Sequence, residues 1–215
     1  MEYRDLSPYS YAPSPLPMLN VGWLGLEMGF QGGLRGSAPD AGYEVVRAAS
    51  RRVSNKMMGY HACDFCGDLD AASGNGEYRY YSSSGETFVA PELLLHYMEV
   101  HRYSPPDAFL EALGGGSELA WDWRAERLSA ILRDEVEDPE IRWNAIFDIA
   151  NWKDARAVEA LRVAATDPIL LDNAGFEIGE SLGMVLGADA VGELGGDVAA
   201  GEILRGIESV QEKTG

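Results

Sequence analysis

The feature that most constrains how this chain can fold is the placement of its rarest metal-binding side chains. It has only two Cys and three His, and all five (His61, Cys63, Cys66, His96 and His101) fall between residues 61 and 101. Cys63 and Cys66 have the spacing of a metal knuckle, and four residues separate His96 from His101, so the order reads C-x2-C, an insertion, then H-x4-H. One ion held by those four would pin residues 63–66 against residues 96–101 and leave His61 as a spare.

The sequence between the two pairs supports such a closure. After Cys66 an acidic loop, Asp68–Asn75, leads into Glu77–Tyr81, aromatic enough for a strand, then Ser82–Gly85 reads as a turn and Thr87–Ala90 as a returning strand. Pro91 suits the first position of a helix running through Leu93, Leu94, Leu95, Tyr97, Met98 and Val100. Knuckle, hairpin, helix is the order of a ββα zinc module. His96 and His101 are separated by about 500° of helical rotation, so they share an ion only if the last turn distorts. Pro105 and Pro106 demand a helix end soon after His101.

The 29 residues between Cys66 and His96 far exceed the linker of a DNA-reading finger. The resemblance is to the treble-clef and ββα families of structural zinc sites in general, and it implies Zn2+ held by Cys63, Cys66, His96 and His101. Two other readings remain open at this level: reduced thiols with solvent-facing His, and a redox Cys pair, although no thioredoxin-like βαβ context surrounds it. A catalytic zinc would need an open position and an acid or base. Glu92 and Glu99 flank the His residues, but neither the HExxH spacing of metalloproteases nor the H-x-E of the deaminases is present.

The elements His-x-Cys-x2-Cys, Pro-x-Leu-x2-His-Tyr and His-x-Tyr-x-Pro-Pro, with Gly74-Asn75-Gly76-Glu77 before them, resemble an uncharacterised family of small actinobacterial proteins over most of residues 55–113. The resemblance implies a shared fold and brings no known activity. Within it, Tyr103, Pro105, Pro106 and Phe109 read as a stop followed by a new helix, with Ser104 as N-cap.

Gly114, Gly115, Gly116 and Ser117 form a flexible joint. They predict an α+β zinc-binding domain over 1–116 and an all-α domain over 117–215. In the first, Leu19–Leu26 reads as a strand or buried hook with Trp23 as core anchor, and Asp40–Val53 as a helix. In the second, Asp138-Pro139 through Asn144-Ala145 is echoed by Asp167-Pro168 through Asn173-Ala174 at a shift of 29, and Ala155–Leu161 by Ala188–Leu194 at a shift of 33. Each unit would carry an Asp cap, Pro at the first helical position, and two helices, as in a HEAT-like array capped by helices over 119–136 and 199–212. Asn144 and Asn173 are expected to bridge neighbouring helices, and Trp121, Trp123, Trp143 and Trp152 to pack in the core or at the domain seam, with any exposed one marking an interface.

Charge narrows function. The formal net charge is −18, divided as 8 − 14 = −6 over residues 1–116 and 9 − 21 = −12 over 117–215. Such a field repels nucleic acid and anionic membranes and draws in a basic protein. The Arg47, Arg51, Arg52, Lys56 cluster is the one basic patch, best read as a solvated helix face. The N-terminus lacks the pattern of a secretory signal and no run approaches 18 apolar residues, so a soluble cytoplasmic protein is expected. The expected function is non-enzymatic binding of a basic protein partner, as by an acidic immunity or inhibitor protein. The alternative is a zinc-dependent enzyme using His61 or Glu99 beside an open metal position.

Overall fold

The computed structural model describes residues 2–27, 41–67, 71–115, 118–187, 190–193 and 201–214. Asp40, the acidic-loop residues Asp68 and Asp70, Gly116 and Ser117 of the joint, Ala188, Asp189 and Leu194 of the second echo, and Ala199 lie outside the described residues. The chain forms two compact units, Met1–Ala12 with Pro17–Ser117, and Pro13–Leu16 with Glu118–Gly215.

In the first unit, β1 (Leu19–Asn20), β2 (Val53–Ser54), β5 (Glu77–Tyr81) and β6 (Thr87–Pro91) form a sheet in the order β1-β6-β5-β2. β1 runs parallel to β6, and the other pairs are antiparallel. The short strands β3 (His61–Ala62) and β4 (Ser73–Gly74) pair separately, so part of the expected acidic loop is strand. The β5–β6 turn closes through Gly85 at φ 107°, a region other residues avoid. Three helices complete the unit: α1 (Ala41–Ala49), α2 (Leu94–His101) and α3 (Asp107–Gly114). Tyr80 and Phe88 meet the fully buried Phe109 edge-on at 5.1 and 5.2 Å, with Val21, Val46, Leu94 and Tyr97 around them.

Several boundaries differ from expectation for identifiable reasons. β1 stops at Asn20 because Gly22 turns into positive φ, packed where a side chain would strike Leu94 and Tyr103. α1 ends at Ala49, where Ser50 turns its hydroxyl back to the Val46 carbonyl and Val53 pairs with Tyr78. Pro91 ends β6 opposite Glu77 instead of opening α2, since its fixed φ is equally at home at a strand end. Ser104 caps nothing in α3, whose N-cap position is Pro106.

The second unit is helical: α4 (Trp123–Arg133), α5 (Pro139–Ile149), α6 (Ala155–Thr166), α7 (Pro168–Leu186), α8 (Ala190–Glu193) and α9 (Gly201–Thr214). Asp122, Asp138, Asp154 and Asp167 accept backbone N–H bonds at the starts of α4 to α7, and Pro139 and Pro168 open α5 and α7. α4 packs on α5 and α6, α5 on α7, α6 on α7, and α7 on α9. At that last contact the backbones approach so closely that a Cβ on Gly179 would meet the Ile203 carbonyl, and one on Gly206 the Phe176 carbonyl. Arg142 of α5, 2% exposed, pairs with the α7 cap Asp167 at 2.6 Å. Burial pushes the Asp167 carboxyl up, but Arg142 and the Leu170 and Ile169 amides outweigh it and hold it below the usual carboxylate range.

The asparagine expectation for this unit fails, and the tryptophans divide between core and surface. Asn144 and Asn173 bridge no neighbours; each donates to the carbonyl four residues back in its own helix, Glu140 and Ile169. Only Trp152 is fully buried, donating to the Ala120 carbonyl beneath Arg124, whereas Trp123 and Trp143 are 54% and 43% exposed. Among the described residues, no helix is long and apolar enough to cross a membrane.

Candidate metal centre

Cys63 and Cys66 sit in the tight turn after β3. Cys63 N–H bonds the Ala72 carbonyl at 2.8 Å, which fixes the knuckle to the β4 side, and Cys66 N–H turns back to the Cys63 carbonyl. His96 and His101 belong to α2, whose last turn closes at Arg102 in the left-handed region with φ 55° and ψ 33°. The Tyr103 N–H reaches back to the Tyr97 carbonyl at 3.0 Å, completing a wound helix end just after His101. With that end in place, residues five apart present their rings to one point: the two Nε2 atoms are 3.1 Å apart.

The four ligand-type atoms all lie within 4.8 Å of one another. Cys63 Sγ is 3.2 Å from His101 Nε2, and Cys66 Sγ is 3.3 Å from both His96 Nε2 and His101 Nε2. Legs of about 2.3 Å to sulfur and about 2.0 Å to nitrogen put tetrahedral ligands about 3.3–3.8 Å apart. Two sulfur and two imidazole atoms thus converge at close to the separation that one cation would hold, and the cluster is positioned to bind a metal ion. Burial pushes the Cys63 thiol up, favouring the protonated form; a bound cation reverses that, because it is the thiolate that coordinates. His101 is buried, and Phe65 packs on it at 5.5 Å and on Tyr97 at 5.9 Å, so the site has an aromatic cover.

The structure brings Cys63, Cys66, His96 and His101 together and leaves His61 out. His61 is exposed on β3, its Nε2 4.0 Å from Asp64. Among the described residues no carboxylate joins the cluster. Glu92 instead accepts the Asn75 N–H at 2.9 Å, and Glu99 lies against Tyr43.

Beside the centre lies a feature the sequence reading missed, a cleft of about 150 Å³ in the same unit. Tyr11, Trp23, Asn75, Glu77, Glu92 and Tyr97 contribute to its lining. Trp23 is buried as expected, yet it faces this cleft, with Tyr3, Tyr9 and Tyr11 at ring separations of 5.8, 6.3 and 5.5 Å. The repeated tyrosines of the first eleven residues were the one available signal. Buried Glu77 holds Arg79 at 2.7 Å and the Tyr9 hydroxyl at 2.7 Å, and burial followed by that carboxylate pushes the Tyr9 phenol up.

A family model described as Domain of unknown function (DUF7919) matches residues 1–114, which takes in both Cys and all three His. No curated protein and no solved structure matches the chain.

Proposed function

This chain belongs to the family described as Domain of unknown function (DUF7919), and on that premise we propose that it is a non-enzymatic protein-binding protein whose N-terminal module is stapled by zinc. The observation that carries the reading is the donor set: Cys63, Cys66, His96 and His101 bring four ligand-type atoms within 4.8 Å of one another, enough for a tetrahedral ion, with no carboxylate among them. Two sulfurs and two imidazoles favour zinc over harder cations, and a closed shell is the form structural zinc takes. Such a centre fixes surfaces and activates no water.

Residues 117–215 carry the larger share of the net charge, −12 of −18. The HEAT-like array belongs to this reading, supported by α5 and α6 each packing on α7, with the capping helices α4 against α5 and α6 and α9 against α7. A net charge of −18 selects a basic protein partner and disfavours nucleic acid. An acidic immunity or inhibitor protein that neutralises a basic protein in the cytoplasm satisfies these features together.

The test is capture from extract of the source cell with the zinc-loaded full chain. A basic protein retained at about 50 mM salt and released by about 500 mM is the expected result, since screening shortens the reach of exposed charge. Capture of no basic protein, or retention indifferent to salt, would contradict the reading.

A further inference from the structure

The cleft beside the metal centre has the chemistry of a receptor for one organic cation. Its aromatic walls are Tyr11, Trp23 and Tyr97, drawn from the N-terminal segment and from α2. Two carboxylates line it, and His61 is the one basic side chain that does so among the described residues. The two carboxylates differ. Glu77 is already matched, one oxygen taken by Arg79 and the other by the Tyr9 hydroxyl. Glu92 uses Oε2 for the Asn75 N–H, while Oε1 has no hydrogen-bond partner among the described residues.

A carboxylate with one oxygen unmatched, beside aromatic side chains, attracts a cation through its charge, and the rings add to that wherever the cation meets a face; a partly dehydrated cleft strengthens both. Size decides which cation. At about 150 Å³ the cleft is smaller than the usual site for a drug-sized ligand and suits the end of a single side chain. Tyr97 stands between the ligands His96 and His101, its ring 6.0 and 6.4 Å from theirs, so the helix that holds the metal also holds a wall of the cleft.

We propose that this cleft receives one arginine side chain of the basic partner, with Glu92 as its counter-charge and Trp23 and Tyr11 beside it. The proposal rests on the basic-partner reading and adds to it the place where that partner is gripped.

The zinc-loaded full chain is titrated with N-acetyl-arginine N-methylamide and with its neutral isostere, N-acetyl-citrulline N-methylamide, following the Trp23 indole resonance. The arginine probe should shift it saturably, and the citrulline probe should bind about tenfold more weakly or worse. Glu92→Gln keeps an oxygen for the Asn75 N–H and removes only the charge. It should weaken the arginine probe about tenfold while the amide spectrum and metal content stay those of the parent. Equal binding of the two probes, an arginine affinity unmoved by Glu92→Gln, or no saturable shift would overturn the proposal. The two readings fail separately: a chain that captures a basic protein but ignores the arginine probe loses only the cleft, and one that binds the probe but captures nothing loses only the partner.

Discussion

Among the described residues the N-terminal unit has four strands only two residues long, and its longest helix has nine residues. The C-terminal unit has four helices of eleven residues or more opened by aspartate caps, and a buried ion pair joining two of them. Elements of two residues bury little by themselves, so beyond the core around Phe109 the proposed ion would add the first unit's cohesion at one point, where Cys63, Cys66, His96 and His101 meet. The second spreads its cohesion over repeated, individually modest contacts. A point staple fails all at once, whereas a distributed one should fail by degrees.

The largest effect should come from removing the staple. Cys63→Ser, or exhaustive chelation, is expected to abolish metal binding and unfold the N-terminal unit, because a structural zinc site contributes about 10–16 kcal/mol of apparent folding free energy. In an amide correlation spectrum, resonances of residues 2–115 should collapse while those of the C-terminal helices persist. His61→Ala should leave metal content and spectrum unchanged. If both units melt together, the contrast between them is wrong.

The next effect lies in the second unit. Arg142→Ala strands Asp167 in a site where its oxygens are mostly covered, and should cost about 3 kcal/mol in urea unfolding followed by helical circular dichroism. Removing one cap, Asp138→Ala, should cost about 1 kcal/mol. That graded response is what distributed cohesion requires; collapse of the unit on loss of a single cap would break the comparison.

Acid should have the smallest effect. The folded Asp167 carboxyl titrates below its unfolded counterpart, so its contribution is complete above the unfolded value of about 4 and is lost as pH falls through the folded one. The C-terminal unit of the parent should therefore lose stability below about pH 4, and the Arg142→Ala variant should lose less over the same interval. Parallel losses would remove Asp167 from the account.

Much of the metal cluster was legible because its chemistry rests on rare residue types at constrained spacing. Two Cys and three His leave few ways to assemble four ligands. The Asp138 and Asp167 caps were legible for the same kind of reason, since Asp followed by Pro is a local signal that needs no tertiary context, whereas Asp122 and Asp154 cap α4 and α6 with no Pro after them to give them away. Other features depended on tertiary context. Pro91 fits a strand end as well as a helix start, and only its pairing with Glu77 decides between them. The exposure of Trp123 and Trp143 depends on which helix faces are covered, which composition does not encode. The cleft escaped notice because its walls come from segments as far apart as Tyr11 and Tyr97, in residue types that usually serve burial.

The central claim, a closed metal staple, is most directly tested by X-ray absorption on the metal of the purified native chain. The account predicts one zinc per chain with two sulfur and two nitrogen neighbours and no bound water. A native chain free of metal, or a shell with an exchangeable oxygen in place of one of those four ligands, would contradict it.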